Sequence, residues 1–213
     1  MKKILALILC SSFGAANASI LLSETFDPIN AGSWHDIDGG TVTGAGNSEF
    51  LDGNALWFSG DSGRRAISDG YDLSYGGSVS FNLKLGGSND TALFENIDAD
   101  EDIVFSYSTN NGTDWIELFV FDSEDSSFTD TWGLISFDIT GSAASSDTMF
   151  EWRQRPYSNS HDGETFDHWA IDNVTISAVP LPAAIWLFGS GLIGFVWASR
   201  KKKNASSVST LSA

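Results

Sequence analysis

The stretch His161-Asp162-Gly163-Glu164-Thr165-Phe166-Asp167-His168 sets two imidazoles and three carboxylates within eight residues. Zinc or copper accepts such donors, but those sites usually draw ligand pairs at spacings that suit one helix or one hairpin. His161 and His168 stand seven apart in a polar stretch without a further ligand motif, which reads as a loop before the last strand. Asp98-Ala99-Asp100-Glu101-Asp102 opens like an EF-hand. Its sixth and twelfth loop positions are Ile103 and Thr109, where glycine and glutamate are needed. Gly60-Asp61-Ser62-Gly63 imitates the nucleophile loop of serine proteases, yet the only upstream histidine is His35, with too little chain for the barrels that triad requires. Gly189-Ser190-Gly191-Leu192-Ile193-Gly194 fits the dinucleotide fingerprint G-x-G-x-x-G. Only a basic tail of nineteen residues follows it, so the βαβ unit and its acidic residue are missing. Carboxylate pairs for glycoside hydrolysis carry no information in a chain with 28 acids. No residue set points to an enzyme.

Flat indole faces can stack on sugar rings, and six tryptophans fall between residues 19 and 178. Trp115, Trp152 and Trp169 lie in apolar strand segments and are expected in the core. Trp132, in the polar run T-D-T-W-G, is the expected exposed platform for a glycan.

The elements that must hold these residues show period-two alternation. Val79, Phe81, Leu83 and Leu85 alternate with Ser78, Ser80, Asn82 and Lys84, which predicts a half-buried strand over 78–85. Further strands are expected at 103–108, 115–121, 134–139, 149–155 and 169–176, with an Asn111-Gly112 turn joining the first two of these. Glycine, asparagine, aspartate and serine clusters separate the runs. No stretch between 19 and 178 sustains a 3.6-residue period, so residues 19–178 are expected to form an all-β, antiparallel two-sheet sandwich.

Both ends carry processing signals. Lys2-Lys3, an apolar run to Cys10 and Ala16-Asn17-Ala18 make a Sec signal peptide over 1–18, which leaves a mature chain without cysteine. Residues 183–199 hold no charge and would span roughly 26 Å at ~1.5 Å per residue, workable for one transmembrane helix. Arg200, Lys201, Lys202 and Lys203 then place the polar tail 204–213 in the cytoplasm and residues 19–178 outside. That exported portion holds all 28 acidic residues against only Arg64, Arg65, Lys84, Arg153 and Arg155, a formal charge near −23. Nucleic acid and anionic lipid are excluded as partners on that ground.

Two resemblances sharpen this reading. Val179-Pro180-Leu181-Pro182-Ala183-Ala184, Trp186-Leu187-Phe188-Gly189-Ser190-Gly191-Leu192 and the basic cluster resemble a PEP-CTERM sorting signal of the V-P-L-P-A subtype, over residues 179–203. The resemblance implies recognition by an exosortase and a Gram-negative host that makes exopolysaccharide and biofilm matrix. Ile103-Val-Phe-Ser-Tyr-Ser-Thr-Asn-Asn-Gly-Thr-Asp-Trp115, Phe150-Glu-Trp-Arg-Gln154 and Asp167-His-Trp-Ala-Ile-Asp-Asn-Val-Thr-Ile176 resemble the reelin-type subrepeat, in order with Trp34, the segment 54–60 and Arg65. That resemblance implies a jelly roll, and a structural Ca²⁺ between the first and last strands. Carried over, its ligands are Glu24 and Asp172, with Asp52 as a weaker third. Asp172 shares parity with Ala170, Val174 and Ile176, the expected core face, and an inward carboxylate needs a compensating cation or hydrogen bonds from loop amides. The cysteine pairs of animal reelin are absent, so its receptor binding does not carry over.

The expected function is therefore an exported, exosortase-sorted matrix or biofilm protein that binds exopolysaccharide or a surface protein, or serves as structure. The inner membrane holds it before processing. Two alternatives stand beside this: a polysaccharide-active hydrolase or lyase on the same fold, and a permanently anchored surface spacer.

Overall fold

β-Branched and aromatic residues that alternate with small polar ones place every second side chain on one face of a pleated ribbon, and that pattern builds this domain. The computed structural model describes residues 18–59, 63–87, 93–94, 101–125, 127–128, 130–155 and 168–179, within the unit Ala18–Val179. In chain order the strands are β1 (Ser19–Glu24), β2 (Trp34–Asp38), β3 (Gly40–Thr43), β4 (Ala55–Phe58), β5 (Arg65–Ser68) and β6 (Gly77–Leu85). They continue with β7 (Ile103–Ser108), β8 (Ile116–Phe121), β9 (Gly133–Ile139), β10 (Met149–Gln154) and β11 (Trp169–Ala178). The six expected strands are β6 to β11, each within two residues of its expected limits.

One sheet runs β3-β4-β11-β6-β9, with β1 also on β11, and the other runs β2-β5-β10-β7-β8. Every pairing is antiparallel. The expected all-β, two-sheet architecture is thus present. Among the described residues no helix is long and apolar enough to cross a membrane. The signal peptide up to Asn17 with Cys10, the Gly60-Asp61-Ser62 turn and the run 98–100 lie outside the described residues. So do His161 to Asp167, Pro180, Leu181, Pro182, the span 183–199, the cluster Arg200, Lys201, Lys202 and Lys203, and the tail 204–213.

The core fills the space between the sheets. Trp152 of β10 lies at its centre, with ring centroids 5.1 Å from Phe105, 5.3 Å from Phe81 and 5.8 Å from Trp34. Phe58 and Trp169 stack nearly parallel at 4.0 Å. Trp152 and Trp169 are therefore core residues, as expected.

Strand β11 organises the six-stranded sheet. On one flank it pairs with β6 along its length; on the other it pairs with β4 through Trp169–Ile171 and with β1 from Val174 onward. Between these neighbours β11 bulges. Asp172 lies opposite Asn82 and Thr175 opposite Ser80, one residue too many, and Asn173 takes a left-handed φ of +50°. The bulge corrects the expected parity. Trp169 and Ile171 pack in the core before it and Val174 and Ile176 after it, so simple alternation does not carry Asp172 onto their face.

Trp152→Ala should cost about 3–5 kcal/mol of unfolding free energy by loss of buried area and a residual cavity. Urea titration of the Ala18–Val179 unit measures it, and a cost below about 1 kcal/mol would contradict the central packing.

Candidate functional site

The gap between the end of β1 and the start of β4 leaves β11 without a strand partner, and loops close it. Glu24 ends β1 as a buried carboxylate held by three donors. Its Oε1 accepts from the Phe26 N–H at 2.7 Å, and its Oε2 accepts from the Asn30 N–H at 2.7 Å and the Trp34 indole N–H at 3.3 Å. These bonds tie one sheet to the other. Asp27 follows in the same loop, where its Oδ1 accepts from the Asn54 backbone N–H at 2.9 Å and side-chain amide at 2.6 Å. Its Oδ2 lies so close over Gly53 that a Cβ there has no room, and Gly53 itself has φ +68°. Asp52 sits on that same turn.

Asp172 is buried, and its partners are the Asn173 backbone N–H at 2.6 Å and side-chain amide at 3.4 Å. Burial above all, with the negative charges of Asp27, Asp52 and Glu24 adding to it, pushes its carboxyl up to about 7 against the lowering effect of the Asn173 N–H. Among the described residues no basic side chain pairs with any of these four carboxylates. Glu24, Asp52 and Asp172 are thus brought to one gap, together with Asp27, which sequence reasoning missed because nothing in its local run shows which way a loop turns. The donor chemistry suits Ca²⁺, a hard cation that takes carboxylate oxygens. Among the described residues no three acidic groups converge closely enough in this conformation to hold an ion. Bound Ca²⁺ would offset the mutual repulsion, and Asp172, Asp27 and Asp52 are the residues with oxygen capacity to spare.

On the outer face of the six-stranded sheet lies a second, smaller cluster of Phe50, Ala55, Phe94 and Ala170, with Trp57 and Trp132 against it. Trp132, the expected glycan platform, is half-buried here. Its indole N–H donates to the Glu49 carbonyl at 3.0 Å and its ring meets Phe94 edge-on at 6.4 Å. Lys84 is buried beside it, 4.0 Å above the Phe94 ring, and burial lowers its pKa against the pull of Glu49 and Asp130. His168 packs edge-on against Trp57 and shares a 2.6 Å hydrogen bond with the Leu93 carbonyl.

The outer face of the five-stranded sheet is different in kind. One cross-strand row reads Asp36, Ile67, Glu151, Ser106, Glu117 from β2 to β8; the next reads Asp38, Arg65, Arg153, Val104, Val120. Arg65 pairs with Asp36, and Arg155 pairs with Glu117. The Arg153 Nε donates to Glu151 at 3.4 Å. Glu151 is buried, and desolvation raises its pKa while Arg153 and Arg65 pull it back. Ser106 beside it is buried, with its hydroxyl unpartnered among the described residues.

Over one end of this face opens a pocket of about 380 Å³. Trp115, Asn111 and Gly112 of the β7–β8 hairpin line one side, and His35, Asp36, Arg65 and Ile67 line the other. Trp115, expected in the core, is half-exposed, because β8 begins only at Ile116 and the indole belongs to the hairpin. The hairpin is braced from within. Ser108 Oγ accepts from the Gly112 N–H at 3.0 Å, Asn110 Oδ1 accepts from the Asp114 N–H at 3.0 Å, and the Asn110 amide donates to Asp114 at 2.8 Å. Gly112, at φ +73°, lies close under the Trp115 ring. His35 reaches the pocket because β2 bulges between Trp34 and Asp36. Sequence reasoning missed this face, although Glu151, Arg153 and Arg155 at period two were a signal that charged residues share one side of β10.

A family model described as Reelin subrepeat B matches residues 39–177, and one described as a PEP-CTERM protein-sorting motif matches residues 178–201. The K1 cleaved adhesin domain of Lys-gingipain from Porphyromonas gingivalis W83 is similar at a TM-score of 0.50 and 17% identity, over 74% of this chain and 97% of that one. The K3 cleaved adhesin domain matches at 0.50 and 15%, over 76% and 99%. The N-terminal CBM22-1–CBM22-2 tandem domain of Paenibacillus barcinonensis Xyn10C matches at 0.49 and 15%, over 79% and 47%. The likeness to the two adhesin domains, at these identities, is one of fold.

In EDTA, the domain's melting temperature should fall as pH rises from about 5 to about 8. An acid with a raised folded pKa stabilises while protonated, and that contribution is lost through about pH 7 for Asp172. Millimolar Ca²⁺ should restore stability at pH 8, and Asp172→Asn should flatten both responses. Scanning calorimetry decides it; an undiminished Ca²⁺ response in Asp172→Asn sinks the site.

Proposed function

The chain belongs to the reelin subrepeat B family, whose model its residues 39–177 match, and we propose that it is an exported binding domain that holds polysaccharide on the outer face of its five-stranded sheet. The observation that carries this reading is the Trp115 pocket. A rigid indole wall faces a floor of fixed donors and acceptors, and the volume lies within the ~300–1,000 Å³ of ordinary ligand clefts. A pyranose needs both parts: an apolar ring face to stack and hydroxyls to bond. Trp115 replaces Trp132 as the main stacking residue, since Trp132 is engaged on the opposite sheet by Glu49 and Phe94.

The sorting motif over 178–201 supports the route. Export through the inner membrane comes first, with the span 183–199 as a transient anchor and Arg200–Lys203 on the cytoplasmic side. An exosortase then processes the signal, and residues 19–178 act at the cell surface or in the extracellular matrix. Ca²⁺ at the Asp172 gap serves as a structural brace for the β1–β4 junction. The jelly-roll order implied by the reelin resemblance is consistent with the two sheets and their antiparallel pairing.

Co-sedimentation of the Ala18–Val179 unit with the host's exopolysaccharide tests the reading. Pelleting should weaken at least about tenfold in Trp115→Ala, the scale of a central aromatic anchor, and stay nearly unchanged in Trp132→Ala. Shortened polymer would make the protein a hydrolase or lyase instead.

A further inference from the structure

We infer that the pocket face selects uncharged pyranose chains and rejects uronate-bearing or other anionic ones. This rests on the saccharide-binding reading above and narrows its ligand. The selection follows from where the five basic side chains of residues 19–178 go. Arg64 is buried, with one guanidinium nitrogen donating to the Phe58 carbonyl at 2.8 Å. Lys84 is buried over Phe94 with Glu49 at 4.0 Å. The remaining three, Arg65, Arg153 and Arg155, stand on the pocket face, each on a carboxylate of its own: Asp36, Glu151 and Glu117.

An anionic sugar therefore meets no guanidinium without an anion already on it. To bind through charge it must displace Asp36, Glu151 or Glu117. For Glu151 that leaves a buried carboxylate uncompensated, the expensive half of a broken ion pair. It must also approach a domain with 28 acidic side chains against five basic ones, whose field extends over a Debye length of ~8 Å at physiological salt.

A hydroxyl faces neither obstacle. It donates one hydrogen bond and accepts others, so a guanidinium and a carboxylate held side by side satisfy both roles at once. The Arg65–Asp36 pair on the pocket wall offers that combination, with Asn111 adding an amide that donates and accepts. Trp115 supplies the flat apolar surface for the C–H face of the ring. Every feature of the pocket is matched by an uncharged sugar, and none requires charge on the ligand.

Affinity gel electrophoresis of the Ala18–Val179 unit gives the test, since that unit contains both sheets and the whole core. The probes are hydroxyethylcellulose and galactomannan as neutral polymers, and alginate and polygalacturonate as uronates, each with EDTA and with Ca²⁺. Retention by a neutral polymer and by neither uronate is the expected result, lost at least about tenfold in Trp115→Ala. Asp36→Asn removes the ion-paired carboxylate from Arg65, while Asp38 and Glu151 stay near it, and should raise uronate retention in EDTA above that of the unmodified domain. Failure of that gain overturns the assignment of selectivity to the pair. Uronate retention by the unmodified domain overturns the charge selection but leaves saccharide binding standing. Retention that appears only with Ca²⁺ is carboxylate bridging by the cation, and it leaves the pocket's selection, which is read in EDTA, standing. A domain that binds none of the probes and not the host polymer overturns the saccharide reading, and the selection with it.

Discussion

A β-strand has two hydrogen-bonding flanks, and β11 cannot fill one of them with a single neighbour. Strand β4 covers only Trp169–Ile171 and β1 only the part from Val174. Backbone groups between them need partners, because unpaired buried N–H and C=O groups are costly. At the bulge the Asn173 N–H turns to the Asp172 carboxylate. Beside it, Glu24 takes the amides of Phe26 and Asn30, and Asp27 takes those of Asn54. Capping the loops this way concentrates negative charge at the junction, and that charge adds to burial in raising the Asp172 pKa.

The opposite sheet meets a related problem with the opposite outcome. Its outer face also carries carboxylates, at Asp36, Glu151 and Glu117, but there each has an arginine beside it. The difference lies in sequence spacing. Glu151 and Arg153 alternate along β10, so the pleat puts them on one face, and register sets Arg65 of β5 beside Asp36 of β2, whereas the acids of the gap arrive on β1, β11 and the loops between them with no base among them. One acidic site is left without a basic partner among the described residues, and the other becomes an ion-paired, polar surface beside an indole.

The strands β6 to β11 were legible because they are long and their alternation is regular. The short strands β1 to β3 and β5 were not. Trp34–Asp38 reads W-H-D-I-D and Gly40–Thr43 reads G-T-V-T, runs too short and too polar to announce a buried face. They are strands because neighbours supply ladders: Ile37 sits opposite Ala66, and Thr41 opposite Trp57. Glu24, Asp52 and Asp172 were reached through family likeness, and the parity that seemed to explain Asp172 fails at a one-residue bulge that period-two counting cannot register. Trp115 was misplaced for a similar reason. Its neighbours Ile116 to Phe121 alternate as a strand should, and nothing local shows that the indole falls just before the first paired residue.

The sequence alone determined the fold class, the C-terminal sorting motif and the acidic composition, because these depend on periodicity, composition and contiguous runs. The hairpin turn at Asn111-Gly112 belongs with them, since it follows from local backbone preference. Tertiary structure decided which acids meet, which arginines pair with them, and that Trp115 and Trp132, both partly buried, lie on different sheets. Those outcomes depend on contacts between residues such as Asp27 and Asn54, or Arg155 and Glu117, that lie far apart in the chain and meet only when strands are set in register. Register is a property of the assembled sheets, and a single extra residue in β11 was enough to take Asp172 out of the alternation that its neighbours follow.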